Sequence, residues 1–335
     1  MRSARPVHRR ARTAVVLLLL WQCVACGGKS PSGPTSSPST PAGEVYLRAI
    51  LALMQENSVN RLRIDWTSFQ SQVLAKAPNA ATIADTYPAI QLALQLLDDH
   101  HSFYVKPNNS GGISNPSAPA GCNVALVDDP AVPADIGYVR IAAFAGANPQ
   151  NFATTIQDAI RARDAANLAG WIVDLRGNGG GNMWPMIAGV GPVLGVGTVG
   201  YFVLPTGGRE PWAYAAGAAY LNGNVVVTVA GTYDLLKRDP RVAVLTDKRV
   251  ISSGEAVAVA FRGRPDTRTL GTETCGLPSA NSTYTLSDGA TLVLTTGLDA
   301  DRAQNVYNAP LPPDEVIADP TALVQRAIAW LRSGS

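Results

Sequence analysis

The chain has 335 residues, of which 46% are hydrophobic and 16% are charged, and this composition excludes a largely disordered protein. Its formal net charge is +2, but residues 1–25 contribute five arginines and no acid, and without them 22 basic residues face 25 acidic ones. The remainder therefore carries a charge near −3 and shows no basic stripe, which argues against nucleic acid as a partner.

Residues 1–25 have the layout of a signal peptide for secretion. An arginine-rich start precedes "TAVVLLLLWQCVAC", an apolar run too short to span a bilayer. The end of this run, followed by two glycines, resembles a bacterial lipoprotein signal in which Cys26 is lipidated, although Cys23 replaces the usual leucine. Ordinary secretion with cleavage near Ala25 is the alternative.

Residues 26–43 form a Gly/Ser/Pro-rich linker that suits a flexible tether. Leader and linker together predict a lipoprotein of the bacterial cell envelope, at the periplasmic face of the outer membrane, held to the membrane by a lipid on Cys26. Export would place Cys122 and Cys275 where thiols oxidise. The sequence leaves open whether these two cysteines form a disulfide or stay free.

A small helical subdomain is expected over residues 44–107, where three stretches place apolar residues at helical spacing. The first helix starts at Glu44, and the second is capped by Asp65 or Thr67 and ends before Pro78. The third stretch, "TIADTYPAIQLALQLLDD", leads directly into two adjacent histidines.

An α/β core is expected over residues 108–335, where strands and helices alternate. It begins with a Gly/Pro/Ser loop at 108–121 that is either a flexible cover or a simple connection. The stretches "AGWIVDLRG" and "RVAVLTD" predict buried strands, and Asn148 is expected to cap a helix that follows it. "DPTALVQRAIAWLRS" predicts a closing amphipathic helix.

Two strand ends are candidates for chemistry. After "WIVDLR", the glycines of 177–182 allow a sharp turn whose bare N–H groups can hold an oxyanion or a phosphate, or a turn without function. The stretch lacks the P-loop lysine and the dinucleotide-binding spacing. After "VAVLTDKRVI", Ser252 and Ser253 stand at a strand-to-helix junction, where a serine is either a nucleophile or a helix cap.

A serine nucleophile needs a base, and the only histidines beyond the leader are His100 and His101. Two consecutive side chains point in different directions, so at most one of them is expected to face the site. A metal site built on them is disfavoured, because no further histidine stands at ligand spacing.

From Glu44 onward the chain resembles the S41 peptidases, the tail-specific or C-terminal-processing family. "DDHHSF" resembles the D-x-H-[ST] motif of the histidine-using, tricorn-like branch, and "GWIVDLRGNGGGN" resembles the D-L-R-x-N-x-G-G signature. "VAVLTDKRVISSGEAVAVAFRGRPDTRTLGTETCG" resembles the nucleophile segment. The resemblance implies an α/β fold with a crotonase- or ClpP-like core and a small N-terminal helical subdomain.

The resemblance also implies roles for particular residues. In the family pattern S-x-x-E, Ser252 is the nucleophile, three residues before Glu255. The amide of Ser253 supplies half of an oxyanion hole, and the glycine turn supplies the other half, through Gly180 with Gly179 or Gly181 as neighbours.

The base departs from the pattern of many family members. Leu277 stands where they carry a catalytic lysine, which excludes a Ser–Lys dyad. The resemblance implies His101 instead, with Asp99 and Ser102 completing the motif, and His100 is the weaker candidate. An imidazole with an ordinary pKa of about 6.5 suits a general base at neutral pH. Three side chains are candidates for orienting this base: Glu255, Glu273 and Ser102.

The sequence therefore predicts an exported serine peptidase that cleaves a peptide or unfolded protein through an acyl-enzyme, without cofactor or metal. The interval 102–137 is too short for the inserted PDZ domain of many relatives, which leaves C-terminal specificity unsupported. Two alternatives stay open: an inactive module on the same fold that binds a peptide or apolar ligand, and hydrolysis of a non-peptide ester or amide.

Overall fold

The computed structural model describes residues 40–334. The predicted signal peptide, Cys26 and the linker up to residue 39 lie outside the described residues. The helices of the described part are α1 (Ala42–Asn57), α2 (Trp66–Lys76), α3 (Tyr87–Leu96), α4 (Pro149–Arg163), α5 (Met183–Leu194), α6 (Ser253–Phe261) and α7 (Pro320–Arg332). No helix within 40–334 combines the length and the apolar character that crossing a bilayer requires.

The strands of the described part fall into two sheets. They are β1 (Phe103–Val105), β2 (Gly112–Ser114), β3 (Ile136–Arg140), β4 (Gly170–Asp174), β5 (Gly197–Val203), β6 (Arg209–Ala215), β7 (Ala218–Leu221), β8 (Asn224–Thr228), β9 (Val242–Thr246), β10 (Thr267–Gly271), β11 (Ser279–Thr285), β12 (Thr291–Ala300), β13 (Val306–Tyr307) and β14 (Glu315–Val316). The mixture of helices and sheets confirms the expected α/β class.

Five strands form a parallel sheet in the order β14-β10-β9-β4-β3. Every residue of β4 and β9 is buried, as their continuous apolar runs predict, because helices cover both faces. Trp171 and Val173 pack with α4 and α5, whereas Ile172 between them packs with Leu331 of α7. Since β4 and β9 are neighbours, the turns that follow them converge at one edge of the sheet.

The other nine strands form an antiparallel sheet, which the alternation of strands and helices did not predict. Its main order is β2-β1-β12-β5-β6-β7-β8, and β11 and β13 also pair with β12. Pairing with β12 places Phe103 opposite Val293 on one side and Ser279 opposite Leu298 on the other. The long strand β12 thereby gathers segments that are far apart in the sequence.

The three N-terminal helices pack against the antiparallel sheet. Their apolar side chains share one cluster with Leu292 and Leu294 of β12. At the start of α2, the carboxylate of Asp65 accepts hydrogen bonds from the next turn, which confirms Asp65 rather than Thr67 as the cap. By contrast, Asn148 makes no side-chain capping bond at the start of α4.

Cys122 and Cys275 form a disulfide, with Cα atoms 5.4 Å apart. The bond joins residues separated by 153 positions. It ties the irregular segment before β3 to the loop between β10 and β11, and it resolves the alternative between a disulfide and two free thiols.

Candidate active site

Ser252 occupies a strained turn between β9 and α6. Its backbone has φ 53° and ψ −117°, a combination that residues other than glycine rarely adopt. The Ser252 hydroxyl faces the amide of Glu255 loosely, as in a capping box, but it makes no capping hydrogen bond. A strained serine at a strand-to-helix junction presents its hydroxyl outward, which is the geometry of a nucleophile elbow.

The carboxylate of Glu255 fixes this turn. It is fully buried and accepts hydrogen bonds from the amides of Ser252, Gly276 and Leu277 at 2.9, 2.8 and 2.8 Å, and from the hydroxyl of Thr274. Burial raises the pKa of Glu255, against the opposing effect of these hydrogen bonds. Glu255 thus joins the first turn of α6 to the loop that contains Leu277.

His101 reaches the site from the turn before β1. The carboxylate of Asp99 shapes this turn by accepting the amides of His101 and Ser102 at 3.0 and 2.8 Å. The Nδ1 of His101 lies 2.7 Å from the hydroxyl oxygen of Ser279, in β11. Burial lowers the pKa of His101 to about 4, so the ring is neutral at neutral pH.

His100 has a different environment from that of its neighbour. Its backbone has φ 59°, its Nε2 lies 3.6 Å from Oδ1 of Asp98, and 42% of its side chain is exposed. Both histidines border the same cavity, but His101 is the buried one, and its contact with Ser279 is shorter than the 3.5 Å between Nδ1 of His100 and the side-chain amide of Asn115.

The three side chains expected to orient His101 bond elsewhere. Glu255 holds the turn at Ser252, Glu273 pairs with Lys248 at 2.6 Å, and the hydroxyl of Ser102 donates to Asp99 at 2.6 Å. Ser279 orients the histidine instead, and sequence reasoning missed it. The only hint of Ser279 in the sequence is that it follows Leu277, the residue at the family's lysine position, by two residues.

The glycine turn requires a correction to the predicted oxyanion hole. The amide of Gly180 donates to Oδ1 of Asn178 at 3.0 Å, so it is not free for a ligand. Gly180 instead permits a close approach: a Cβ added there would lie 2.7 Å from the carbonyl oxygen of Ile251. Gly179 and Gly181 line the cavity, and their amides donate to no acceptor among the described residues.

These groups share one cavity of about 960 Å³, bordered by His101, Ser252, Ser253, Leu277 and Ser279. Within the described residues no hydrogen bond joins His101 to Ser252; such bonds often form only in the complex with substrate. Nor does any group of three or more His, Cys, Asp or Glu side chains in 40–334 lie close enough to hold a metal ion.

Comparisons with known proteins show the family to which the chain belongs. The family model of peptidase family S41 matches residues 135–317, more than half of the chain. A nisin-resistance protein of Lactococcus lactis subsp. lactis is 29% identical over 301 residues, which cover 88% of each chain.

Two solved structures share the fold. A lipoprotein from Streptococcus agalactiae superposes with a TM-score of 0.67 and 21% identity, over 88% of this chain and 98% of that one. A photosystem II D1 C-terminal processing protease gives a TM-score of 0.59 and 16% identity, over 87% of this chain and 98% of that one. The chain therefore belongs to peptidase family S41.

Proposed function

We propose that this protein is a serine peptidase that hydrolyses peptide bonds through an acyl-enzyme. The proposal depends above all on one cavity that is bordered both by Ser252, in its strained turn, and by the buried, neutral His101. Membership of a peptidase family supports the same chemistry.

In the proposed mechanism, His101 removes the hydroxyl proton of Ser252 through Nε2 as the serine oxygen attacks the peptide carbonyl. For Nε2 to accept this proton, Nδ1 of His101 must carry the one proton of the neutral ring, and this N–H donates a hydrogen bond to the hydroxyl oxygen of Ser279. His101 next protonates the leaving amine, and a water molecule repeats the sequence to release the acyl group. The ring must begin neutral for this role, and burial keeps it so.

The developing oxyanion needs two donors. We assign them to the amide of Ser253 and to the amide of Gly179 or Gly181, in place of the occupied amide of Gly180. Each such donor is typically worth about 3 kcal/mol of barrier. Glu255 acts as a positioning residue, because it holds the amide of Ser252 and thus the turn that presents the hydroxyl.

We also propose export and anchoring at the bacterial cell envelope, through a lipid on Cys26. Support comes from the leader and linker sequence and from the Cys122–Cys275 disulfide, a bond typical of compartments outside the cytoplasm. The substrate is a peptide or an unfolded protein, and similarity to a nisin-resistance protein makes nisin the first defined peptide to test.

Labelling with a fluorophosphonate tests the function directly. The purified protein is expected to cleave casein, to lose that activity on labelling, and to carry the label on Ser252 when its peptides are mapped by mass spectrometry. Cleavage that survives complete labelling of Ser252 would contradict the nucleophile assignment. Retention of casein or nisin with neither cleavage nor labelling would favour the alternative of an inactive binding module.

The pH dependence of kcat/KM tests the role of His101. Because burial lowers its pKa to about 4, protonation should remove the base only as the pH falls through about 4. With an exposed histidine as the base, activity would instead be lost as the pH falls through about 6.5. The profile should be measured from pH 3.5 to 8 on labelled casein, with circular dichroism confirming the fold at each pH. An acid limb centred near 6.5 would show that His101 is solvated in the working enzyme.

A further inference from the structure

Asp299 is a buried acid without a partner in the wall of the cavity. The residue is 1% exposed, and neither carboxyl oxygen accepts or donates a hydrogen bond among the described residues. Buried carboxyl groups in proteins normally have donors or a cation beside them. Burial and the nearby carboxylate of Glu255 raise the pKa of Asp299 well above its usual range. The fold itself therefore gives this acid no stabilising contact.

The strand register places Asp299 close to the proposed chemistry. Its amide donates to the carbonyl oxygen of Pro278 at 3.1 Å, which sets it beside the residue before Ser279. On its other side Asp299 lies directly opposite Phe202 of β5, and opposite residues of an antiparallel pair share one face of the sheet. Phe202 also lines the cavity, so the acid and the aromatic ring belong to the same wall.

The charge of the cavity favours a cation. Among its described lining residues, Glu210 and Asp299 are the only acids, and no lysine or arginine is present. Apolar side chains, including Phe202, Trp184 and Leu277, border the same space. An aliphatic stem that ends in a cationic group matches such walls, since the stem packs on apolar surface and the head meets the acid.

We infer that Asp299 binds the side chain of a lysine or arginine residue close to the scissile bond of the substrate. The cleavage part of this inference rests on the proposed peptidase function, whereas the binding part does not. On binding, the Asp299 carboxyl releases its proton, and the substrate cation donates charge-assisted hydrogen bonds to the carboxylate. A substrate with a neutral side chain of the same length leaves the Asp299 carboxyl group without a partner. The site therefore discriminates against such a substrate.

The first test maps cleavage sites in casein by mass spectrometry. The wild-type protein is expected to show lysine or arginine enriched at one fixed position relative to the cleaved bonds. Asp299→Asn, which keeps the size of the side chain, should lose this enrichment while it still cleaves at other sequences. Glu273→Gln, at an exposed acid outside the cavity lining, serves as the control and should keep the enrichment. An even distribution in the wild type, or an equal loss of cleavage at all sequences in Asp299→Asn, would overturn the inference.

The second test is independent of catalysis. The Ser252→Ala protein is titrated into two dansylated alanine heptapeptides that differ only in a central lysine or norleucine, and fluorescence anisotropy reports binding. The lysine peptide should bind about tenfold more tightly or better, because it alone forms the charge-assisted pair. Equal affinities, or tighter binding of norleucine, would refute the inference. A lysine preference without any cleavage by the wild type would instead refute the peptidase proposal alone.

Discussion

Ser252→Ala is expected to lower peptide-bond hydrolysis by at least about 10,000-fold and to leave the fold intact, because the change removes only the attacking oxygen. The Ser252 hydroxyl faces the amide of Glu255 only in the loose arrangement of a capping box, so its loss should destabilise α6 by about 1 kcal/mol or less. The measurement is kcat/KM on labelled casein, with thermal unfolding recorded for the same preparations.

Ser253→Ala is the matched control for the nucleophile. It removes a hydroxyl that donates to the carbonyl oxygen of Gly181 but keeps the backbone amide assigned to the oxyanion hole. Most of the activity should survive. The double variant Ser252→Ala/His101→Ala should be no less active than Ser252→Ala, because a nucleophile and its base act as one unit. An active Ser252→Ala protein beside an inactive Ser253→Ala protein would reverse the assignment of the two serines.

Glu255→Gln is expected to lower the free energy of unfolding by about 3 kcal/mol and to abolish activity as well. The carboxylate accepts from three amides and one hydroxyl, and a carboxamide turns one acceptor into a donor that faces other donors. The amide of Ser252 then loses its partner, and the strained turn loses its support. Urea unfolding measures the stability change.

Glu273→Gln provides the comparison for Glu255→Gln, since it makes the same chemical change at an acid that is 53% exposed. Glu273 forms a surface ion pair with Lys248, and its replacement should change stability by less than about 1 kcal/mol. Equal shifts for the two variants would show that Glu255 does not hold the turn.

The local parts of the site were predictable from the sequence. The buried strands β4 and β9 followed from continuous apolar runs, and parallel neighbours end at the same edge of a sheet. Ser252 and Glu255 belong to one short segment, so the three-residue spacing between them can be read directly from the sequence. The cap at Asp65 has the same local character.

The parts that depend on the antiparallel sheet were not predictable. Ser279 meets His101 only because β11 and β1 both pair with β12, and a register is not visible in a single sequence. Nothing in the sequence marks Asp299 as a binding residue. Its role is suggested only by its burial and by the absence of hydrogen-bond partners for its carboxyl group among the described residues. The amide of Gly180 was expected to be free for an oxyanion, but it donates its hydrogen bond to the side chain of Asn178, two residues earlier.

The proposed nucleophile and the proposed base come from different sheets. Ser252 follows a strand of the parallel sheet, and His101 precedes a strand of the antiparallel one. Their separation is therefore a property of how α6 packs on β5 and β12, where the two layers meet. If the proposed activity holds, a substitution in that packing layer is expected to lower kcat without contacting any functional side chain, because it shifts Ser252 relative to His101.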